Sequence, residues 1–284
     1  MMKTKGSPKG APLKVKIITY GILAAALVAS LFPFYLMFVS STLSTGDILK
    51  IPPTLSIGSN LMANLANLKD KIDIGRVVFN SVFVSVVYTL LTLVINSLAG
   101  YALAKFNFKG RNFIFALIMG TMMIPAQVLY IPQFTMMTSI GWANQYKAVI
   151  VPALANAFGI FLMRQNMVSF PTSLIESARI DGFNELSIFF RIVLPNMKPA
   201  LGALGIYNFI TQWGSFMWPL IILSTENMYT LPVALASLDG LMYKDYGMMM
   251  LGASISTIPV IIMFLSFQKR SEEHTSELQS LRHL

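Results

Sequence analysis

Six stretches of this chain are apolar and free of Asp, Glu, Lys, Arg and His: Ile17–Val39, Val77–Ala104, Asn112–Met137, Ala148–Met163, Ala200–Leu223 and Met248–Phe267. Each is near the length that crosses about 30 Å of hydrocarbon as a helix. Within a bilayer no water is at hand, so a spanning segment must satisfy its own N–H and C=O groups. Uninterrupted apolar runs of this length do so as α-helices. The expected fold class is therefore an all-α membrane protein with six transmembrane helices. Composition agrees: 55% of residues are hydrophobic and 12% are charged, against about a quarter charged in soluble domains.

The first run follows a polar leader holding Lys3, Lys5, Lys9, Lys14 and Lys16. A secretory signal peptide is the competing reading. The run is longer than the usual signal core and no A-x-A cleavage site follows, which favours a first transmembrane helix. Pro125, Pro132, Pro152, Pro219 and Pro259 lie within the spans. They are expected to kink the bundle, because neighbouring helices can satisfy the carbonyls a proline frees.

Basic residues set the orientation. The leader, the loop from Lys105 to Arg111, the loop from Arg164 to Lys198, and Lys269-Arg270 hold fourteen of them. The opposite side holds Lys50, Lys69, Lys71, Arg76, Lys147 and Lys244. The excess of positive charge marks the cytoplasmic face, so both termini are expected inside.

Several chemistries are excluded. The chain has no cysteine, and its two histidines, His274 and His283, lie near the C-terminus. The body thus has no thiolate or imidazole for catalysis or metal ligation. No span carries Asp, Glu, Lys, Arg or His, where a proton-coupled carrier usually keeps ionisable groups. A sodium site built of carbonyls stays open. No G-x-x-x-x-G-K-[ST] phosphate loop is present, so any ATP used must be hydrolysed by another chain.

The distinctive polar stretch runs from Ser173 to Pro195, between the fourth and fifth spans. Ser173 and Glu176 have the spacing of a capping box. Asp181-Gly182 should end that helix, since glycine adopts the left-handed C′ conformation at no steric cost. A second helix is expected from Glu185 to Val193, stopped at Leu194-Pro195. Leu186, Ile188, Phe189, Phe190 and Ile192 give it an apolar surface to be covered by neighbouring helices or by a groove on a partner. On helix chemistry alone, a capped amphipathic helix lying on the membrane accounts for the stretch equally well.

A second pattern sits on the fifth span: Asn208, Gln212, Trp213, Ser215, Phe216, Trp218 and Pro219. Aromatic faces with amides and hydroxyls suit a sugar path, and Asn208, Gln212, Trp213, Ser215 and Trp218 are its candidate residues. An interfacial aromatic belt is the other reading. Beyond it, Ser224–Gly247 is an external segment long enough to reach a partner.

The spacing Glu176-Ser177-Ala178, Gly182, Ile192, Leu194-Pro195 resembles the E-A-A…G…I-x-L-P loop of ABC-importer permeases, with Ser177 in place of the usual alanine. From about Ile17 to Arg270 the chain looks like the carbohydrate branch of that family, the MalG-like second permease subunit of maltose- and glycerol-phosphate-type systems. The matching stretches include Met122–Val128, Ala157–Gln165, Ala178–Gly182, Tyr229–Ala236 and Ile258–Phe264. Gly214 stands where many members carry Asn after the Trp, and the usual basic-aromatic C-terminus is absent.

The resemblance implies a type I permease fold over residues 1–270 and a coupling-helix loop at 173–195. It implies ATPase coupling through Glu176, Ser177, Ala178, Asp181, Gly182, Ile192, Leu194 and Pro195. Its partners would be a second permease, two ATPase subunits that bind the ATP and Mg, and an extracytoplasmic sugar-binding protein that the Ser224–Gly247 segment contacts. No cofactor, metal or catalytic residue is expected in this chain, and no nucleic acid. The location would be the inner membrane of a prokaryote. Residues 271–284 turn abruptly polar and read as the translation of a sequencing adapter joined to a truncated gene. A secondary carrier or channel, and less readily a membrane enzyme, are the functional alternatives.

Overall fold

The computed structural model describes residues 13–239 and 244–281, with side chains as far as Phe264. All regular structure among the described residues is helical. Two compact units emerge. One comprises the described residues up to Leu68 with 244–254; the other runs from Lys69 to Asp239 and resumes at Ile255.

In the first unit, α1 (Leu13–Ser40) is a 28-residue helix with one buried residue, Val39. Its apolar surface is thus available to lipid. The polar segment that follows is built rather than open. Helix α2 (Thr45–Ile48) is capped by Ser44, whose Oγ accepts from Asp47 N at 3.1 Å. On α3 (Leu61–Lys71), the buried Asn64 donates to the carbonyls of Ser41 and Leu43 at 2.8 and 2.9 Å. Asp245 accepts from Asn67 Nδ2 and Met248 N, which ties the start of the last helix to this segment.

The second unit is organised around α4 (Ile74–Lys105), whose 32 residues begin at the N-cap Asp73. At 1.5 Å per residue α4 is about 48 Å long, more than a bilayer core needs. It buries a row of small and polar side chains, among them Ser81, Ser85, Thr89, Thr92, Asn96, Ser97 and Gly100. Small residues let helix backbones approach closely in the membrane. A β-carbon on Gly100 would stand 2.8 Å from Arg164 N.

After α4 come α5 (Arg111–Thr121), a short 3-10 turn (Ala126–Leu129) and α6 (Tyr130–Ser139). The expected third span is bent by 93° between α5 and the turn. Pro125 explains the break: it supplies no N–H and pushes Ile124 out of the helical region. Pro132 is taken into the first turn of α6, where a missing N–H costs little. The next pair, α7 (Tyr146–Ile150) with its 3-10 extension through Pro152, and α8 (Ala157–Val168), bends by 44°. Asn156 caps α8 by accepting from Gly159 N at 2.7 Å.

Helices α9 (Thr172–Ile180), α10 (Glu185–Ile188) and α11 (Leu194–Asn196) form the polar stretch. The expected fifth span is divided. Helix α12 (Lys198–Trp213) stops at Gly214 and α13 (Met217–Ile222) starts afresh. At about 24 Å, α12 alone is shorter than the hydrocarbon core. Within Ser224–Gly247 the structure places α14 (Leu231–Asp239), with Leu231, Val233, Ala234 and Leu238 buried. Finally α15 (Tyr246–Leu281) carries the last apolar run.

Three helical stretches are long and apolar enough to cross a membrane, α1, α4 and Tyr246–Phe264, and up to five if each bent pair makes one span. Side chains of the polar tail at 271–284 lie outside the described residues.

Candidate functional site

The Ser173–Pro195 stretch folds as helix, elbow, helix. Helix α9 starts two residues earlier than the sequence pattern suggests, with Pro171 at the N-cap and no side-chain capping bond. The expected capping box is therefore not formed. Pro171 has φ −61°, already suited to a helix start, and Ser173 is inside the first turn. Lys105, at the end of α4, fixes the chain just upstream by donating its ammonium to the carbonyls of Val168 and Phe170.

The elbow forms as the glycine demands. Gly182 has φ +83°. Phe183 N donates to Ala178 O at 3.0 Å and Gly182 N donates to Arg179 O at 3.1 Å. This pair of bonds is the Schellman closure, which uses the orphaned carbonyls of the last turn. Asn184 then caps α10, its side chain accepting from Ser187 N at 2.8 Å.

The second helix does not stop at Leu194-Pro195. It widens into a π-helical turn, Phe189–Val193, and continues through Pro195 to Asn196. Pro195 has no N–H to offer the preceding turn, and a wider turn absorbs the missing bond.

The two adjacent phenylalanines of this helix face different ways. Phe189 is fully buried, as are Ile188 and Val193, whereas Phe190 is half-exposed. The loop has its own core. Ile175 and Ala178 of α9 meet Ile188, Phe189 and Val193 over Tyr101, Met163, Met167 and Leu204. Ile192 and Leu194 pack at its margin.

The coupling candidates thus divide. Ala178 faces the core, Ile192 and Leu194 are partly covered, and Glu176, Ser177, Asp181, Gly182 and Pro195 are exposed. Beside them lies an apolar rim: Ile180 is 87% exposed and Leu186 62%. Leu174, Phe183 and Phe190 also stand open.

Four residues not singled out for a role in the sequence pattern hold this unit on α4. Arg179 Nε donates to Glu185 Oε1 at 2.6 Å across the elbow. The Tyr101 hydroxyl donates to Glu185 Oε2 at 3.2 Å. The Tyr101 ring meets Phe106 edge-on at 5.5 Å and Phe189 at 5.4 Å. Lys105 supplies the carbonyl contacts already described. The Arg179 guanidinium beside Glu185 holds its carboxyl below the usual range. Opposite charges flanking a glycine turn were the available signal for Arg179 and Glu185. Nothing local announces Tyr101.

The second candidate set is scattered. Trp213 is buried with Val77, Phe209, Leu231 and Ala234, and its Nε1 donates to Ser256 O at 3.1 Å. Trp218 is buried in a different cluster with Val84, Tyr88 and Ile150, and its Nε1 donates to Ala148 O at 3.0 Å. Both indole donors are therefore committed to backbone carbonyls. Asn208 is buried, while Gln212 and Ser215 are half-buried. The two tryptophans therefore lie in different clusters.

Residues 96–276 match the family described as binding-protein-dependent transport system inner membrane component. Over 243 residues the chain is 37% identical to the arabinooligosaccharides transport system permease protein AraQ of Bacillus subtilis, covering 84% of this chain and 86% of that one. It is 34% identical over 254 residues to the lactose transport system permease protein LacG of Rhizobium radiobacter, covering 89% and 92%. The sn-glycerol-3-phosphate transport system permease protein UgpE of Pectobacterium atrosepticum is 30% identical over 263 residues, covering 89% and 93%. A chain of a bacterial ABC transporter that imports the acidic polysaccharide alginate shares the fold. Its TM-score is 0.78 at 24% identity, over 93% of this chain and 99% of that one.

Proposed function

Because the chain belongs to the family of binding-protein-dependent transport system inner membrane components, we propose that it is one permease subunit of an ATP-driven sugar importer. Its role is transport, with ATP hydrolysis in a separate chain. Carbohydrate as the cargo class follows from the relatives, whose names specify arabinooligosaccharides and lactose.

The observation that carries the mechanism is the elbow at Gly182. A Schellman-closed turn presents exposed Glu176, Ser177, Asp181 and the Ile180–Leu186 rim, while its inner face is packed into the permease's own core. An outward apolar patch on a rigidly seated loop suits a groove on a partner protein. We assign that partner as the ATPase. Closure of two ATPase subunits around ATP and Mg would push this loop and rock the helices between inward- and outward-open states. ATP and Mg belong to the partner in this reading.

The topology proposed is six spans, made of α1, α4, the bent pair α5–α6, the bent pair α7–α8, α12 with α13, and α15. Both termini are cytoplasmic, in the inner membrane of a prokaryote. A second homologous permease and an extracytoplasmic binding protein complete the assembly, the latter approaching the segment around α14. Asn208, Gln212, Trp213, Ser215 and Trp218 remain the proposed sugar-path residues, brought into use when the bundle opens.

Reconstitution tests this reading. The complete set of chains in liposomes should accumulate sugar on addition of ATP, and the chain by itself should not. Accumulation by the chain alone would favour a secondary carrier and overturn the assignment.

A further inference from the structure

We propose that Tyr101, Arg179 and Glu185 form a positioning joint that transmits displacement of the elbow to α4. This rests on the coupling role assigned above to the loop, and it names residues outside the Glu-x-x…Gly…Leu-Pro pattern.

The inner face of the elbow is otherwise apolar. Ile175, Ala178, Ile188, Phe189 and Val193 contribute burial, which is non-directional. Such contacts hold two elements together but resist sliding weakly. A hydrogen bond to a charged group is directional and about twice as strong as a neutral one. Glu185 spends its two oxygens on two different elements. Oε1 accepts from Arg179 of α9 at 2.6 Å and Oε2 accepts from Tyr101 of α4 at 3.2 Å. One carboxylate at the start of α10 therefore fixes the register of both arms of the elbow against α4.

The aromatic surroundings leave the joint little freedom. Tyr101 is 4% exposed, wedged between Phe106 and Phe189. The Arg179 guanidinium lies 5.9 Å from the Phe106 ring centre. Phe106 follows the last residue of α4, so Arg179 also meets the end of that helix. A push on the exposed face of α9 then reaches α4 through a closed ring, Arg179 to Glu185 to Tyr101 to Phe106 and back. Because α4 is the helix on which α8, α12 and α14 pack, it is the element through which a local displacement can become a movement of the bundle.

The test uses the complete reconstituted importer carrying Y101F, E185A or E185Q in this chain, with sugar uptake and ATP hydrolysis measured on the same liposomes. Copurification of the ATPase and the thermal midpoint of the complex serve as structural readouts. Uptake per ATP is expected to fall by about tenfold in Y101F and E185A, the scale of one charge-assisted hydrogen bond. ATPase copurification should persist. E185Q keeps the side-chain shape and one acceptor oxygen, enough for one of the two donors, and should recover part of the ratio. The double variant Y101F with E185A should be no worse than E185A alone, because E185A already removes the bond that Y101F removes. An unchanged ratio in Y101F and E185A overturns the joint. So does a loss of uptake that merely follows loss of assembled complex. If the unaltered complex hydrolyses ATP but takes up no sugar, the transport reading itself fails, a result distinct from failure of the joint.

Discussion

Replacing Gly182 should act through backbone conformation and not through side-chain size. The residue sits at φ +83°, and a β-carbon built there meets nothing within 4 Å. The penalty for an L-residue is thus the intrinsic cost of the left-handed region, about 1–2 kcal/mol. That is a factor of about 5–30 in the ratio of closed to open elbow. Asparagine tolerates this region better than alanine despite its greater bulk, because its short polar side chain bonds locally. The expected order of elbow stability is Gly, then Asn, then Ala, then Val, whose β-branch stiffens it further. Opening the elbow breaks the bonds from Phe183 N to Ala178 O and from Gly182 N to Arg179 O, and it swings the Ile180–Leu186 rim out of register. ATPase association, measured by pull-down beside sugar uptake, should follow the same order. If Gly182→Ala retains more association than Gly182→Asn, size matters and the elbow conformation does not. If Gly182→Val retains full association and uptake, the loop is not the coupling element.

Other outcomes follow from burial and charge. Phe189→Ala should destabilise the folded chain by about 3–5 kcal/mol through a core cavity, read as a lowered thermal midpoint in detergent. Leu186→Ala, on the open rim, should leave that midpoint within about 0.5 kcal/mol of stability while weakening the ATPase pull-down; the reverse pattern would refute the assignment of the two faces. A cysteine placed at Asn184 should react with impermeant reagent only when the cytoplasmic face is accessible, and labelling of intact cells from outside would invert the topology. The pair Arg179–Glu185 has a carboxyl held low by the guanidinium, with Tyr101 and Glu176 the other ionisable groups facing it. A depressed carboxyl contributes stability above its unfolded value, near pH 4.3 for an ordinary glutamate, and loses it only as pH falls through the folded one. ATPase association should therefore stay level from about pH 8 down to about pH 5, and a decline centred near pH 6 would contradict the pairing.

The sequence by itself determined whatever depends on near neighbours or on summed composition. Charge-free apolar runs had to become helices because a bilayer leaves the backbone no other partner. Asp181-Gly182 had to make a left-handed turn because glycine alone enters it without strain, and the elbow is where the spacing put it. The family was legible too, since the spacing of Glu176, Gly182, Ile192 and Leu194-Pro195 is local. The helix start was misjudged by two residues because Pro171 competes with Ser173, and local chemistry does not rank the two.

Tertiary structure decided the rest. Phe189 and Phe190 are adjacent and chemically alike. One is buried and the other open because a π-helical turn rotates the register around Pro195 and because Tyr101 offers a ring at that one place. The 93° bend after α5 and the break after Trp213 depend on which packing arrangement the bundle adopts, since prolines and glycines permit kinks without dictating their angles. Trp213 and Trp218 look like a pair five residues apart, yet each is claimed by a different carbonyl and a different core cluster. The link from Tyr101 to Glu185 spans 84 residues. No periodicity records a contact of that range, because it exists only once α4, α9 and α10 have been brought together by burial of the surfaces around it.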